Sequence, residues 1–179
     1  MSPRMPAEER LFADSPPKVI LLDTSFVVAH LVAGEKQHEE CLSFSEKLQA
    51  VGTVVVYSAI LRPEYLNAWR TLIQKGYLPS EPAPQLRMEL GALQGERLHW
   101  LRIADRLLHQ FLSDFYRKEV RLNRRVLDRM VDAMGRHNLK SYDAIHIASA
   151  SDVGCRDIAS FDSDFRRIDG IRLWNNGRG

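Results

Sequence analysis

The chain has 179 residues, a length that fits one domain able to bury a core without disulfides or a structural metal. Hydrophobic residues make up 45% and charged residues 27%, as in ordinary globular proteins, and no apolar run approaches the roughly 18 residues that a membrane-spanning helix needs. The formal net charge of +2 is too small to indicate nucleic-acid binding by itself.

The N-terminal segment and the two cysteines bear on compartment and domain organisation. Residues 1–17 are charged and contain several prolines, and they lack the apolar middle of a signal peptide. We interpret them as a loose N-terminal extension and residues 18–179 as the domain. Cys41 and Cys155 form no CxxC or Cys/His cluster, which argues against a disulfide framework or a zinc site. We therefore expect a cytoplasmic protein.

The first half of the chain alternates short apolar strands with helices. KVILLD (18–23) is a continuous apolar run that suits a strand buried on both faces, and TVVVYS (53–58) is a second, β-branched strand. Thr24, Ser25 and Ser58 stand where helix N-caps are expected. The apolar spacing predicts helices over residues 26–33, 38–50 and 63–76.

The second half opens with a break at EPAP (81–84) and continues in a long helical block. Apolar residues spaced 3 to 4 apart predict helices through about 84–137, followed by a helix over 141–154. CRDIASFD (155–162) is typical of a third strand and IRLW (171–174) of a short fourth one. Strands that alternate with helices predict a three-layer α/β fold with a mostly parallel central sheet.

Four carboxylates converge on one edge of this predicted sheet. Asp23 and Asp162 end two strands, where ligands bind in open α/β sheets. Glu64 and Asp143 lie early in helices that can point at the same edge. Because like charges this close repel, the arrangement makes sense around a bound cation. Oxygen ligands without Cys or paired His select a hard ion such as Mg²⁺ or Mn²⁺.

Each acid also has a purely structural interpretation. Asp23 and Asp143 stand where a carboxylate caps a helix or favours its dipole, and Glu64 could be a solvated helix residue. Pro63 directly precedes Glu64, so this helix either starts at Pro63 or kinks there. His146 lies three residues after Asp143 on the same helical face, where it either contacts the acids or packs in the core.

Four short motifs stand in order along residues 18–170. They are LLDTS at Asp23, YSAILRPEYL around Glu64, SYDAIHIASA around Asp143 and ASFDSDF around Asp162. Together they resemble the motifs of the PIN-domain nucleases. The resemblance implies a PIN-like fold and a divalent-metal-dependent endoribonuclease that hydrolyses RNA phosphodiester bonds. It also implies that these four acids are catalytic and hold the Mg²⁺ or Mn²⁺.

The same resemblance extends to neighbouring polar residues and to partners. It implies that Thr24, Ser25 and Ser160 assist at the metal or the phosphate. Asp164 competes with Asp162 for one role, and the position nearer the strand end favours Asp162, which leaves Asp164 to support it or to cap. Many small PIN-domain proteins are toxins of toxin and antitoxin pairs, so the resemblance implies an antitoxin protein as a partner.

Two other functions make different demands on the sequence. A catalytically weak PIN-like module that binds RNA or protein should lack one of the acids, and none is missing. Phosphotransfer with Asp23 as nucleophile, as in one class of phosphatases, should show a second acid two residues on, where Ser25 stands. We therefore favour the nuclease.

The helical block carries two further expectations. Between Arg97 and Lys140 there are eleven Lys and Arg against five Asp and Glu, a surplus that either meets RNA phosphates, through Arg124 and Arg125, or is a solvated face. The block also carries more apolar residues than one helix face of a monomer needs, which predicts a homodimer or a bound partner. These residues are Leu107, Leu108, Phe111, Leu112 and Phe115.

Overall fold

Six strands form one parallel sheet in the computed structural model, which describes residues 6–77 and 96–177. In chain order the strands are β1 (Glu8–Leu11), β2 (Val19–Leu22), β3 (Val54–Ser58), β4 (Tyr116–Val120), β5 (Asp157–Ala159) and β6 (Arg172–Asn175). Their order across the sheet is β1-β6-β5-β2-β3-β4, and every neighbouring pair is parallel. The predicted parallel sheet is confirmed.

Six α-helices within the described residues cover the two faces of the sheet. They are α1 (Thr24–Leu31), α2 (His38–Ala50), α3 (Leu61–Gln74), α4 (Arg97–Ser113), α5 (Arg124–His137) and α6 (Ser141–Asp152), and a 3₁₀ helix spans Ser163–Arg167. Helices α1 to α4 share one hydrophobic cluster with the sheet, and α5 and α6 share a second on the opposite face. The three-layer α/β fold is therefore confirmed.

Strand β2 shows how the sequence builds these layers. Ile20 and Leu22 belong to the first hydrophobic cluster and Leu21 to the second, because successive side chains of a strand point to opposite faces. All three are fully buried. A strand covered on both faces needs a continuous apolar run, and this is the pattern that residues 18–23 carry.

The carboxyl ends of the strands form the edge where the predicted acids lie. Leu22 of β2 pairs with Ala159 of β5, so the chain leaves both strands at the same edge. Asp23 follows directly and is the N-cap of α1, in place of the predicted Thr24 or Ser25. Asp162 follows β5 and is the N-cap of the 3₁₀ helix.

Helix α3 begins earlier than Pro63 suggested. Its first residue is Leu61 and its N-cap is Ile60, so Ser58 is not the cap and instead ends β3. Pro63 is the third helical residue, and the Glu64 amide makes a helical bond to the Ile60 carbonyl at 3.1 Å. Because the first amides of a helix have no acceptor within it, a proline there loses no hydrogen bond.

The expectation of a loose N-terminal extension is wrong for residues 8–12. Strand β1 pairs with β6 at the edge of the sheet. Phe12, which follows it, is 6% exposed and stacks on Phe44 with ring centroids 4.4 Å apart, while Lys47 donates to the Phe12 carbonyl at 3.0 Å. The strand escaped prediction because an edge strand exposes its side chains, so the sequence EERL carries no apolar signal.

The predicted helical block over 84–137 is interrupted by a strand. Residues 84–95 of that prediction lie outside the described residues, and β4 separates α4 from α5. β4 is the edge strand beside β3, and only Val120 of its sequence YRKEV is buried. The four exposed positions remove the period-2 pattern that would have marked a strand.

The apolar residues of α4 are used within the chain. Leu108, Phe111, Leu112 and Phe115 are buried in the first hydrophobic cluster, and Leu107 is half-buried. The argument that this face needs a second copy or a partner is therefore wrong, and the predicted homodimer loses that support. No helix among residues 6–77 and 96–177 combines the length and hydropathy needed to cross a bilayer.

Candidate functional site

Asp23 lies buried at the end of β2 and joins three elements. Its Oδ2 accepts hydrogen bonds from the Ser25 hydroxyl at 2.6 Å and from the Ser160 hydroxyl at 2.8 Å. The Ser25 hydroxyl also accepts the backbone N–H of Phe161 at 3.0 Å, which ties α1 to the segment after β5. Asp23 is therefore both a helix cap and a member of the candidate site. From the sequence these two roles were alternatives.

Glu64 enters the same edge from the first turn of α3. Its Oε2 accepts a hydrogen bond from the Thr24 hydroxyl at 2.7 Å and lies 2.7 Å from Nε2 of His146. The other ring nitrogen of His146, Nδ1, lies 3.0 Å from the Ser58 hydroxyl. The same Nε2 is 3.5 Å from Oδ1 of Asp23, so His146 stands between two of the four predicted acids.

The carboxylates around His146 favour the protonated form of its ring. Burial lowers the pKa of His146, but the hydrogen bond to Glu64 and the charges of Asp23, Glu64 and Asp143 outweigh it, so that the pKa lies above its ordinary value. His146 is fully buried. A buried ring with both nitrogens engaged is fixed in orientation, and it fixes the carboxylate that it touches.

Asp143, Asp162 and Asp164 form an acidic cluster beside these residues. One carboxylate oxygen of each lies within 4.8 Å of the others. Asp162 is oriented from both sides, because its amide donates to Ser160 at 3.0 Å and its Oδ1 accepts the Asp164 amide at 2.8 Å. Asp164, which the sequence placed behind Asp162, is thus a full member of the cluster, with Arg167 3.1 Å from its carboxylate.

Asp143 has the least satisfied carboxylate of the group. Its Oδ2 is buried and has no hydrogen-bond partner among the described residues. Burial, followed by the charges of Asp162, Asp23 and Glu64, raises the pKa of Asp143 to about 6, and Lys140 offsets this only in part. A divalent cation between the carboxylates would satisfy the buried oxygen, and the all-oxygen donor set fits Mg²⁺ or Mn²⁺.

The predicted RNA-binding arginines lie away from the acids. Arg124 and Arg125 begin α5, and Arg125 donates to Asp152 at 2.9 Å, at the last residue of α6. Asp152 is about 14 Å along the helix axis from Asp143. Arg124 is 95% exposed, and its guanidinium lies 3.9 Å from Asp128. The structure therefore does not bring these two arginines to the acidic cluster.

Two residues of the site were not assigned to it from the sequence. Ser58 was predicted to cap a helix, and His146 was left between packing and contact with the acids. The only available signal for His146 was its spacing, because position i+3 from Asp143 lies on the same helical face. Its apolar neighbours in SYDAIHIASA hide that signal, since a residue on a buried helix face resembles core.

The family of the chain follows from a match to a known domain. A family model described as the PIN domain matches residues 20–171. The chain belongs to the PIN-domain family. The match includes all four predicted acids and ends just before β6. No curated protein matches this PIN domain by sequence.

Solved structures share the fold at low sequence identity. Mycobacterium tuberculosis VapC20, described as a sarcin-ricin loop cleaving toxin, is 21% identical with a TM-score of 0.53, over 82% of this chain and 92% of its own. A toxin–antitoxin complex from Klebsiella pneumoniae contains a chain that is 18% identical with a TM-score of 0.51, over 85% of this PIN domain and 94% of that chain. At these identities the likeness shows the fold.

Proposed function

We propose that this PIN domain is a divalent-metal-dependent endoribonuclease, with Asp23, Glu64, Asp143 and Asp162 as its catalytic, metal-holding acids. The observation that carries the proposal is the buried oxygen of Asp143, which has no hydrogen-bond partner in residues 6–77 and 96–177 and lies inside an acidic cluster. A structural carboxylate at such a position would be hydrogen-bonded. The cost of gathering these charges is offset when a cation neutralises them.

The donor set decides which cation suits the site. Asp143, Asp162 and Asp164 offer carboxylate oxygens close together, and no cysteine or histidine joins that group among the described residues. Mg²⁺ or Mn²⁺ is the matching ion, which Asp143 and Asp162 would hold together with Asp23 and Glu64, with Asp164 in support. Such an ion activates water for attack on a phosphodiester and offsets the charge that develops on the phosphate.

The remaining polar residues of the site orient the acids. The hydroxyls of Ser25 and Ser160 donate to Oδ2 of Asp23, while its Oδ1 lies 3.5 Å from Nε2 of His146. Thr24 does the same for Glu64, as its hydroxyl donates to Oε2. These hydroxyl donors hold both carboxylates in place, which is the assisting role proposed for the three hydroxyl residues.

The fold supports a more specific role. The likeness to VapC20 and to the Klebsiella pneumoniae complex supports the proposal that this PIN domain is a cytoplasmic toxin that cleaves RNA and is held by an antitoxin protein. The exposed Arg124 supports RNA binding outside the acidic edge. The alternative of a catalytically weak binding module is disfavoured, because such a module should lack one of the four acids, and all four are present with Asp162, Asp23 and Glu64 in electrostatic reach of Asp143.

A cleavage assay tests the proposal. The purified protein is incubated with single-stranded and structured RNA, alone, with EDTA, and after Mn²⁺ or Mg²⁺ is restored. We expect cleavage only with the metal and products that carry a 5′ phosphate and a 3′ hydroxyl. Asp143→Asn should abolish cleavage, whereas Asp132→Asn, a matched change on the exposed face of α5, should not. Cleavage that persists in EDTA would refute the metal mechanism.

A further inference from the structure

A cavity of about 450 Å³ opens directly beside the acidic site. Helix α3 lines it through Pro63, Asn67 and Ala68, whose spacing places them on one side of a helix. Thr24 and Glu64 of the site form a wall that the cavity shares with the acids, and Tyr142 also lines the cavity. The cavity is therefore continuous with the place where the proposed cleavage occurs.

Tyr142 is an exposed aromatic residue that lines this cavity. It precedes Asp143 in the first turn of α6 and is 57% exposed. Within residues 6–77 and 96–177 its hydroxyl has no hydrogen-bond partner and its ring stacks on no other ring. An exposed aromatic face beside a site for nucleic acid is the feature that single-stranded RNA-binding proteins use to stack an unpaired base.

Asn67 adds a polar group to the lining of the same cavity. Its Oδ1 accepts from Arg70 at 3.2 Å, which orients the amide and leaves its NH₂ group without a partner among the described residues. An amide in this position can hydrogen-bond to the edge of a base. The lining thus combines apolar side chains, an aromatic ring and one oriented polar group, which are the elements of a selective small-ligand site.

We propose that this cavity, the base pocket, holds the nucleobase next to the scissile phosphate and gives the enzyme a base preference at one position flanking the cut. The proposal rests on the proposed ribonuclease function, because a phosphate drawn to a cation that Glu64 and Asp143 would hold lies next to the cavity that Glu64 and Tyr142 line. An amino-acid side chain of a protein partner is the competing occupant. The shared wall with the acids favours the base.

The test is the sequence of the cut sites. A library of single-stranded RNA with random sequence is cleaved with Mn²⁺, and the new 5′ ends are sequenced. We expect wild type to favour one base, or one class of base, at a single position next to the cut. Tyr142→Ala should flatten that preference and weaken binding of the same RNA, measured in EDTA, by about tenfold, the value of one lost stack.

Matched variants separate stacking from hydrogen bonding. Tyr142→Phe keeps the ring and should retain the preference, whereas Asn67→Ala should keep RNA affinity but shift which base is favoured. Tyr116→Ala is the control, because Tyr116 is 73% exposed at the start of β4, opposite the acidic edge, and should behave as wild type. These residues are exposed, so the variants should fold.

The outcomes distinguish this proposal from the ribonuclease proposal. If wild type cleaves with a base preference that Tyr142→Ala leaves intact, the base pocket is refuted while the ribonuclease stands. If wild type fails to cleave RNA with any divalent metal, the ribonuclease is refuted. The pocket is also refuted if Tyr142→Ala binds the RNA library in EDTA as well as wild type and Tyr116→Ala do.

Discussion

Nε2 of His146 lies 2.7 Å from Oε2 of Glu64, and this contact joins α6 to α3 beneath the acidic site. The hydroxyl of Ser58 lies 3.0 Å from Nδ1 on the other side of the ring. In the protonated ring, which the raised pKa of His146 favours, Nδ1 donates to the Ser58 hydroxyl and Nε2 donates to Glu64, so both ring nitrogens are paired. Glu64 is thus held by two donors, His146 and Thr24.

The first prediction concerns His146→Ala. The change removes a donor to Glu64, leaves the Ser58 hydroxyl buried without a partner and opens a cavity, so the free energy of unfolding should fall by about 2–4 kcal/mol. Urea unfolding measures this cost. Because Glu64 then keeps only the Thr24 hydroxyl as a donor and is less firmly oriented, Mn²⁺ affinity should fall, which isothermal titration at a temperature where the variant is folded would show. Ser58→Ala, a gentler change, should cost about 1 kcal/mol.

A purely packed His146 makes a different prediction. In that case His146→Gln and His146→Ala would lose stability alike, and Mn²⁺ affinity would equal that of wild type in both. If Glu64 needs the donor, His146→Gln should recover part of the Mn²⁺ affinity that His146→Ala loses. Equal Mn²⁺ affinity in wild type and His146→Ala would show that His146 only packs in the core.

The second prediction concerns Asp143→Asn, which keeps the size of the side chain and removes its charge. Neutralising Asp143 relieves its repulsion with Asp162, Asp23 and Glu64, so the metal-free variant should be as stable as wild type or more stable. Catalysis should be lost, and Mn²⁺ should raise the melting temperature less than in wild type. Thermal melts with and without Mn²⁺, read beside RNA cleavage, measure both effects.

The outcome separates the site from a capping role. If Asp143 only favours the dipole of α6, its charge contributes about 0.3–1 kcal/mol of stability and activity should be intact. The variant would then lose a little stability and keep its activity. A variant with full activity and the full Mn²⁺-induced shift would remove Asp143 from the site. Asp132→Asn on the surface of α5 supplies the baseline for a neutralised exposed acid.

The third prediction is a pH dependence of the metal-free protein. The pKa of Asp143 is about 6 in the folded protein, against an ordinary value of 3.8. Between about pH 4 and pH 6 Asp143 therefore stays protonated in the folded protein, whereas it is ionised in the unfolded chain. Stability from this group is therefore present below about pH 4 and is lost as the pH rises to 6, by about 1 kcal/mol after allowance for solvent screening. Urea unfolding across this range should show the loss in wild type and not in Asp143→Asn.

The same proton competes with the metal. Because a carboxylate must lose its proton to bind an ion, Mn²⁺ affinity should begin to fall below about pH 6, well above the range expected of ordinary aspartates. Titrations at pH 5, 6 and 7 measure it. An affinity that is constant down to pH 5 would contradict the raised pKa of Asp143.

The fourth prediction concerns the basic surface of α5. Arg124 is exposed and loosely paired, so Arg124→Ala should leave stability unchanged, weaken RNA binding and reduce the salt slope by about one charge. Arg125 pairs with the mostly buried Asp152, so Arg125→Ala should instead lower the melting temperature. If the salt dependence of RNA binding is unchanged when Arg124→Ala and Arg125→Ala are combined, both arginines belong to an ordinary solvated face.

The sequence predicted the acidic site better than the edges of the sheet. Asp23 and Asp162 were predictable because apolar runs marked their strands and parallel strands end at one edge. Strands β1 and β4 were missed because each is an edge strand with mostly exposed side chains, so neither carries an apolar period. Their positions are set by pairing with β6 and β3, which is a tertiary effect.

The contacts behind the acids were beyond the sequence for a related reason. Ser58 and His146 are 88 positions apart, and the hydrogen bond between them depends on how α6 lies against β3. Periodicity reports which face of a helix is buried and not what that face touches. The role of Asp164 needed the same information, because only the turn of the 3₁₀ helix places it beside Asp143 and Asp162.

Direct binding of Mn²⁺ tests the central claim, that the gathered carboxylates hold a divalent ion. The free Mn²⁺ signal in electron paramagnetic resonance is followed as wild type, Asp143→Asn and Asp132→Asn are titrated at pH 7.5 without RNA. We predict saturable binding by wild type and Asp132→Asn, displaced by excess Mg²⁺, and strongly weakened binding by Asp143→Asn. Equal binding by all three proteins, or none by wild type at millimolar Mn²⁺, would contradict the account.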